Sequence, residues 1–290
     1  MNEFWSPAGK QANRVNALEE SLVLTAVGIE NELLKYDGHW QIMVRDEQVG
    51  VAVQHIKEFH KENKAAAEIQ VQPMTVDSGW LGVLSFLGVI WLMPTLDAMT
   101  SIELRTVGMM SNQGILGGQW WRTVTALTLH ADIAHIMANS FFGALFGLFV
   151  GRHLGSGFGW LVVLVCGALA NLLNALLLGP EYRSLGSSTA CFAALGLVPA
   201  FSWRNGYFRG SGWKKGFAPI FGAIAMLAFT GVSDKANTDV SGHILGFVVG
   251  LSAGLALLKS KIEVLTLKDQ QRAGAFALSV IILSWLAAIP

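Results

Sequence analysis

SLGSSTACFAALGLVPAFSW, Ser184 to Trp203, runs for twenty residues without a charged side chain. At a helical rise of about 1.5 Å per residue, that length matches a hydrocarbon core about 30 Å thick, so the stretch reads as a membrane helix. Its head carries Gly186, Ser187, Ser188 and Thr189, residues that hydrocarbon does not favour. Either a hydroxyl works as a nucleophile inside the bilayer, or small polar residues cap a helix and help it pack.

The rest of the chain agrees with a membrane setting. Of 290 residues, 52% are hydrophobic and 14% charged, with 32 glycines and 10 tryptophans. Further apolar stretches cover Ser78 to Leu96, Ile133 to Val150, Leu154 to Gly179, Gly216 to Thr230, Val240 to Leu258 and Ala273 to Ile289, which makes seven spans in all. Backbone groups must be paired in lipid, so helices are expected. Lys plus Arg and Asp plus Glu both total 20, so net charge gives no case for a nucleic-acid partner. Cys166 and Cys191 both lie in apolar runs and read as small buried hydrophobes.

Charge placement sets an expected orientation. Lys57, Lys61 and Lys64 precede the first span, Arg152 follows the second, Arg204, Arg209, Lys214 and Lys215 follow the fourth, and Lys259, Lys261, Lys268 and Arg272 follow the sixth. The alternate loops hold only Arg105, Arg122, Arg183 and Lys235. The positive-inside rule then puts the N-terminus in the cytoplasm and the C-terminus outside. MNEFWSPAGKQANRVNALEE has no signal-peptide apolar core, so the first segment is expected to stay on the side of synthesis.

Residues 1–70 are polar enough for a small α+β domain and linker. Asp37-Gly38, between two candidate strands, is a hairpin signal. A helix is expected over Asn13 to Thr25. Asp46 is expected to cap a second helix with Val49, Ala52, Val53, Ile56, Phe59 and His60 on one face, and Ala65 to Val76 to form a linker.

Polar residues inside the spans form three clusters: His130, His135 and Asn139 at the second, Gly186 to Thr189 at the fourth, and His243 at the sixth. All three stand at the same end of even-numbered spans, where they can meet. His135 and Asn139 are one turn apart on one face, whereas His130 reads first as a structural hydrogen-bonding residue. Gly242, Gly246, Gly250 and Gly254 recur every fourth residue, a packing stripe that would carry His243 towards a neighbouring helix. Where that neighbour is the fourth span, Ser188 and His243 form a nucleophile and general base, and the Ser188 N–H, His135 and Asn139 can stabilise an oxyanion. Asp132 lies on another face, so a dyad without an acidic third member is expected. A zinc site is the competing enzyme reading, but the spacing lacks an H-E-x-x-H pattern and offers no acidic base.

These residues closely resemble the rhomboid family of intramembrane serine proteases. Trp121-Arg122 matches its loop motif, His130, His135 and Asn139 its histidine and asparagine motif, GSST its nucleophile motif, and GHILG its general-base motif. The resemblance runs from Trp121 to Gly254, and the amino-terminal domain is similar to small cytosolic domains of some bacterial members. It implies an all-α polytopic membrane protein with a six-helix core over residues 71–260 and one further transmembrane helix within 261–290. It also implies a serine endopeptidase of an inner membrane acting on transmembrane protein substrates without a cofactor or metal, with Ser188 and His243 as the dyad and His130, Phe192 and Gly186 in support. Two positions depart from the family pattern. Thr189 replaces the glycine after the serine, and Phe192 stands where many members have a tyrosine supporting the base. Thr189 motivates the alternative of a rhomboid-like pseudoprotease that binds transmembrane helices without cutting them. A transporter is disfavoured, because the polar residues gather at one face rather than at the midplane.

Overall fold

Asp37 and Gly38 both take positive φ, 47° and 74°. This turn sets Asn31–Tyr36 and His39–Arg45 in unbroken antiparallel register. They are β2 and β3 of a three-stranded sheet in which β3 is central and β1 (Trp5–Gln11) is the other edge. The sequence reading missed β1. Its Pro7 and Gly9 weaken the strand signal, and both are tolerated because the strand is an edge with a register shift between them. Helix α1 (Arg14–Ala26) is capped by the Asn13 side chain. Helix α2 (Val49–Ala67) buries Ala52 and Ile56 against Leu24, Ile42 and Val44. Asp46 is not a side-chain cap; it opens a 3-10 turn, Asp46–Gln48, that leads into α2.

The computed structural model describes residues 4–67, 77–207, 212–231 and 239–290. They fall into two units, the amino-terminal sheet and helices just described and a helical unit from residue 77 onward. The linker expected at Ala65 to Val76 lies outside the described residues beyond Ala67, as do Arg209 and Lys235 and the side chains of Lys64, Lys214, Lys215 and Lys259.

The helical unit is polytopic and all-α in its spans. Helix α3 (Trp80–Met99) leads to a long loop containing α4 (Leu104–Gly108), the short strand β4 (Met110–Ser111), α5 (Asn112–Leu116) and α6 (Arg122–Thr125). Then come α7 (Ile133–Leu154), α8 (Ser156–Leu177), the short strand β5 (Arg183–Ser184) and α9 (Ser188–Arg204). Helix α10 (Gly212–Met226) continues into a π turn at Leu227–Gly231, followed by α11 (Val240–Ala256), α12 (Lys259–Ile262) and α13 (Leu267–Ala288). By length and composition α3, α7, α8 and α13 can each cross a membrane. Helices α9 and α11 have 17 residues each. At about 1.5 Å per residue they span about 25 Å, short of the hydrocarbon core.

The fourth span starts later than its apolar run suggests. Ser184 pairs with Met110 in the β4–β5 ribbon, and Gly186 turns at φ 139° before α9 begins at Ser188.

Candidate active site

Close helix packing sets the geometry. A Cβ added to Gly246, Gly250 or Gly254 on α11 would stand 2.3, 2.0 and 2.3 Å from the carbonyl oxygens of Thr189, Ala193 and Leu197 on α9. Two sets of residues four apart thus mesh, and glycine is what permits the approach. Gly242 does not belong to this contact. Its neighbour is the Asp239 carboxylate, which accepts from Gly242 N at 2.6 Å and caps α11.

With the backbones this close, His243 on the first turn of α11 meets Ser188 on the first turn of α9. His243 Nε2 lies 2.9 Å from Ser188 Oγ. The other ring nitrogen, Nδ1, lies 2.8 Å from the Gly231 carbonyl oxygen. A carbonyl only accepts, so Nδ1 carries the proton and Nε2 accepts from the serine hydroxyl. Phe192 packs on the imidazole with ring centroids 4.4 Å apart and 37° between planes.

The second-span cluster joins them. Asp132 caps α7 by accepting from His135 N at 2.8 Å. A Cβ on Gly186 would stand 2.7 Å from His135 Cε1, 2.8 Å from its Nε2 and 3.5 Å from Ser188 Oγ. No side chain fits between that imidazole and the serine. Asn139 is 5% exposed, and its Nδ2 has no hydrogen-bond partner. The first N–H groups of α9 likewise lack intrahelical acceptors. His130 Nε2 lies 3.1 Å from Ser187 Oγ, and its ring stands edge-on to His135 at 5.2 Å. Burial, and then the neighbouring His135, push the His130 imidazole down to about 4, so it is neutral near pH 7.

Thr189 is buried, with its methyl against Gly246 on α11. The extra side chain is accommodated in the α9–α11 contact. Trp121 and Arg122 stand apart from the serine. Trp121 packs with Leu104 and Leu129, while Arg122 donates to the carbonyls of Met109 at 2.7 Å and Thr106 at 3.1 Å, fixing the loop after α3.

Several participants went unread in the sequence. The Gly231 carbonyl carries no side-chain mark. Tyr182 donates to Asp239 and accepts from Ser241 Oγ at 3.0 Å, tying the strand before Ser188 to the cap of α11. Burial first, and then the Asp239 hydrogen bond, push the Tyr182 phenol up to about 12. On α13, Trp285 Nε1 donates to Thr128 Oγ1 at 3.1 Å, two residues before His130. Only the spacing of polar residues along the loop after α6 could have hinted at Thr128, and nothing local pointed to Trp285.

Residues 117–260 match the family model described as Rhomboid domain. The chain is 35% identical to "Rhomboid protease GluP" of Bacillus subtilis (strain 168) over 152 residues, which is 52% of this chain and 28% of GluP. It is 31% identical to "Rhomboid-like protease 2" of Toxoplasma gondii over 148 residues, 48% of each chain. A third relative, YdcA of Bacillus subtilis (strain 168), whose name also places it among rhomboid proteases, is 24% identical over 179 residues, 62% of this chain and 88% of YdcA. The chain thus covers less than half of two of these relatives and most of the third.

Proposed function

This chain belongs to the rhomboid family, and from that premise we propose that it is an intramembrane serine endopeptidase that hydrolyses peptide bonds of membrane-anchored proteins. Ser188 is the nucleophile and His243 the general base. The observation that carries the reading is the 2.9 Å contact between Ser188 Oγ and His243 Nε2, with Nδ1 held on the Gly231 carbonyl. That carbonyl does for the tautomer what a carboxylate does in a three-member set.

In the first step Ser188 Oγ attacks the scissile carbonyl carbon while its proton passes to His243 Nε2. The imidazolium formed keeps both N–H groups satisfied, one on Gly231. Negative charge gathers on the former carbonyl oxygen, and the Ser188 N–H, the Asn139 amide and the His135 ring are the donors for it. Asn139 Nδ2 is buried without a partner, so its donor is free for the oxyanion without breaking a bond first. The tetrahedral species collapses as His243 protonates the leaving amine. Water, deprotonated by His243 in turn, then attacks the acyl ester and frees Ser188. His130 acts through Ser187, holding the turn that presents Ser188.

The short α9 fits this role. A helix of about 25 Å that ends near one membrane face begins below the opposite one, so the serine at its head stands within reach of a bond buried in the bilayer. Charge placement supports an N-terminus in the cytoplasm and a C-terminus outside, while the inner-membrane location is carried by the family resemblance alone. The amino-terminal sheet and helices form a separate cytosolic domain.

A fluorophosphonate probe tests the reading, because phosphonylation needs an activated hydroxyl. Labelling that maps to Ser188 and is lost in His243→Ala supports a hydrolase. A folded protein that is not labelled at Ser188 contradicts it and leaves a protein that binds transmembrane helices without cutting them.

A further inference from the structure

A cavity of about 410 Å³ lies between α3, α8 and α13, away from the Ser188–His243 side of the site. Helices α3 and α13 pack together at one end, where Met93 and Leu96 share a cluster with Trp285 and Ala288. Below that contact they part. Val89 on α3 and Leu278 on α13 line the walls, with Val163 and Leu164 of α8 as the floor. Leu81 and Leu278 are 69% and 41% exposed, so the cavity is open along its lipid side. Its closed end is formed by Leu127, Thr128, Ser187 and Ala190.

Most polar groups sit at the two ends and are bonded; between them Ser85 and Trp160 also line the cavity, and the Trp160 Nε1 has no hydrogen-bond partner. At the open end the Asp77 carboxylate accepts from Ser156 N and Oγ, at 2.5 and 2.7 Å. The Gln270 amide is held by Gly157 N at 3.0 Å, Phe158 N at 2.8 Å and Leu154 O at 3.0 Å. At the closed end Thr128 and Ser187 have their own partners. Apart from the Trp160 N–H and the Ser85 hydroxyl, the middle of the cavity is walled by apolar side chains such as Val89, Val163, Leu164 and Leu278, so it favours an apolar occupant.

Its proportions choose among apolar occupants. The lining runs along α13 from Leu267 to Ile281, a distance of about 21 Å at the helical rise. Spread over that length, the volume is a narrow channel, slimmer than a helix with side chains, which is about 10–12 Å across. A substrate helix does not fit; one hydrocarbon chain does.

We propose that this cavity is a binding site for a single acyl chain of a membrane phospholipid. The chain enters between α3 and α13, and its end packs behind the first turn of α9, against Ser187 and Ala190 on either side of Ser188. The binding claim does not rest on the proposed chemistry of Ser188.

The test uses the full-length protein in nanodiscs containing phosphatidylglycerol with a diazirine on one acyl chain, followed by peptide mapping of the photo-adducts. Adducts are expected at Val89, Ala275 and Leu278 in excess over the lipid-facing Leu283 and Leu286 of the same helix. Ser85→Phe and Ala275→Phe, which fill the cavity from opposite walls, should each lower the Val89 adduct at least about tenfold, while Leu283→Phe leaves it unchanged. Equal labelling of cavity and lipid-facing residues in the wild type would overturn the site without recourse to any variant. So would unchanged labelling in folded filled variants, or loss of the adduct when a transmembrane peptide is present during irradiation.

Discussion

The Nδ1 of His243 sits 2.8 Å from the carbonyl oxygen of Gly231, the last residue of the π turn that follows α10. A backbone carbonyl outside α11 therefore fixes the tautomer of an imidazole on α11, while the Asp239 carboxylate four residues before it is engaged by Tyr182 and Gly242. The strength of the proposed base thus depends on where the α10–α11 connection begins.

Asn139→Ala should lower kcat by about 10²–10³, the usual loss for one oxyanion donor, with little change in KM. Its orphaned Nδ2 is the reason. Steady-state cleavage of a transmembrane reporter measures it, and a collapse of KM with kcat preserved would make Asn139 a substrate-binding residue.

Gly250→Ala should both destabilise the fold and separate nucleophile from base. The added methyl would lie 2.0 Å from the Ala193 carbonyl oxygen, a backbone atom that cannot turn away. Overpacking of this kind costs about 1–3 kcal/mol. Gly88→Ala, where a Cβ meets nothing within 4 Å, is the control. Thermal unfolding in detergent should fall for the first and hold for the second.

His130 gives a pH signature. In the unfolded chain its imidazole titrates near 6.5, while in the fold it is pushed down to about 4. Between those values the unfolded state binds a proton that the folded state refuses, so this residue's contribution to stability is complete above pH 6.5 and is lost as pH falls towards 4. The melting temperature of the wild type should drop across that window, and His130→Gln should flatten the slope. An unchanged slope in the variant would assign the acid sensitivity elsewhere.

Trp285→Phe should reduce kcat several-fold and lower stability by about 0.5–1.5 kcal/mol, the net worth of one hydrogen bond. The indole donates to Thr128 on the segment that presents His130, so α13 supports the site although it lies beyond the matched domain. Loss of stability with kcat and its pH profile untouched would restrict Trp285 to packing.

Much of this was legible because membranes punish polarity. His135, Asn139, Ser188 and His243 stand out against apolar runs, and a glycine every fourth residue gives a reason for α11 to approach another helix. The ends of that logic are equally physical. Gly242 continues the glycine spacing yet serves a cap, because near a helix start the local Asp239 side chain is closer than any neighbouring helix. Ser184 to Ser187 read as part of a span because they are uncharged, but the β4–β5 ribbon and the Gly186 turn take them out of α9. A backbone acceptor such as Gly231, and a contact such as Trp285 to Thr128 spanning 157 positions, leave no periodic trace. Strand β1 stayed hidden because Pro7 and Gly9 suppress the alternation by which strands are recognised.

Cleavage of a transmembrane reporter by wild type and by Ser188→Ala, reconstituted at equal levels in liposomes, tests the central claim most directly. Cleavage by the wild type and none above background by Ser188→Ala is the predicted result. Equal cleavage by the two proteins, or no cleavage of any reporter by a folded wild type labelled nowhere at Ser188, would contradict it.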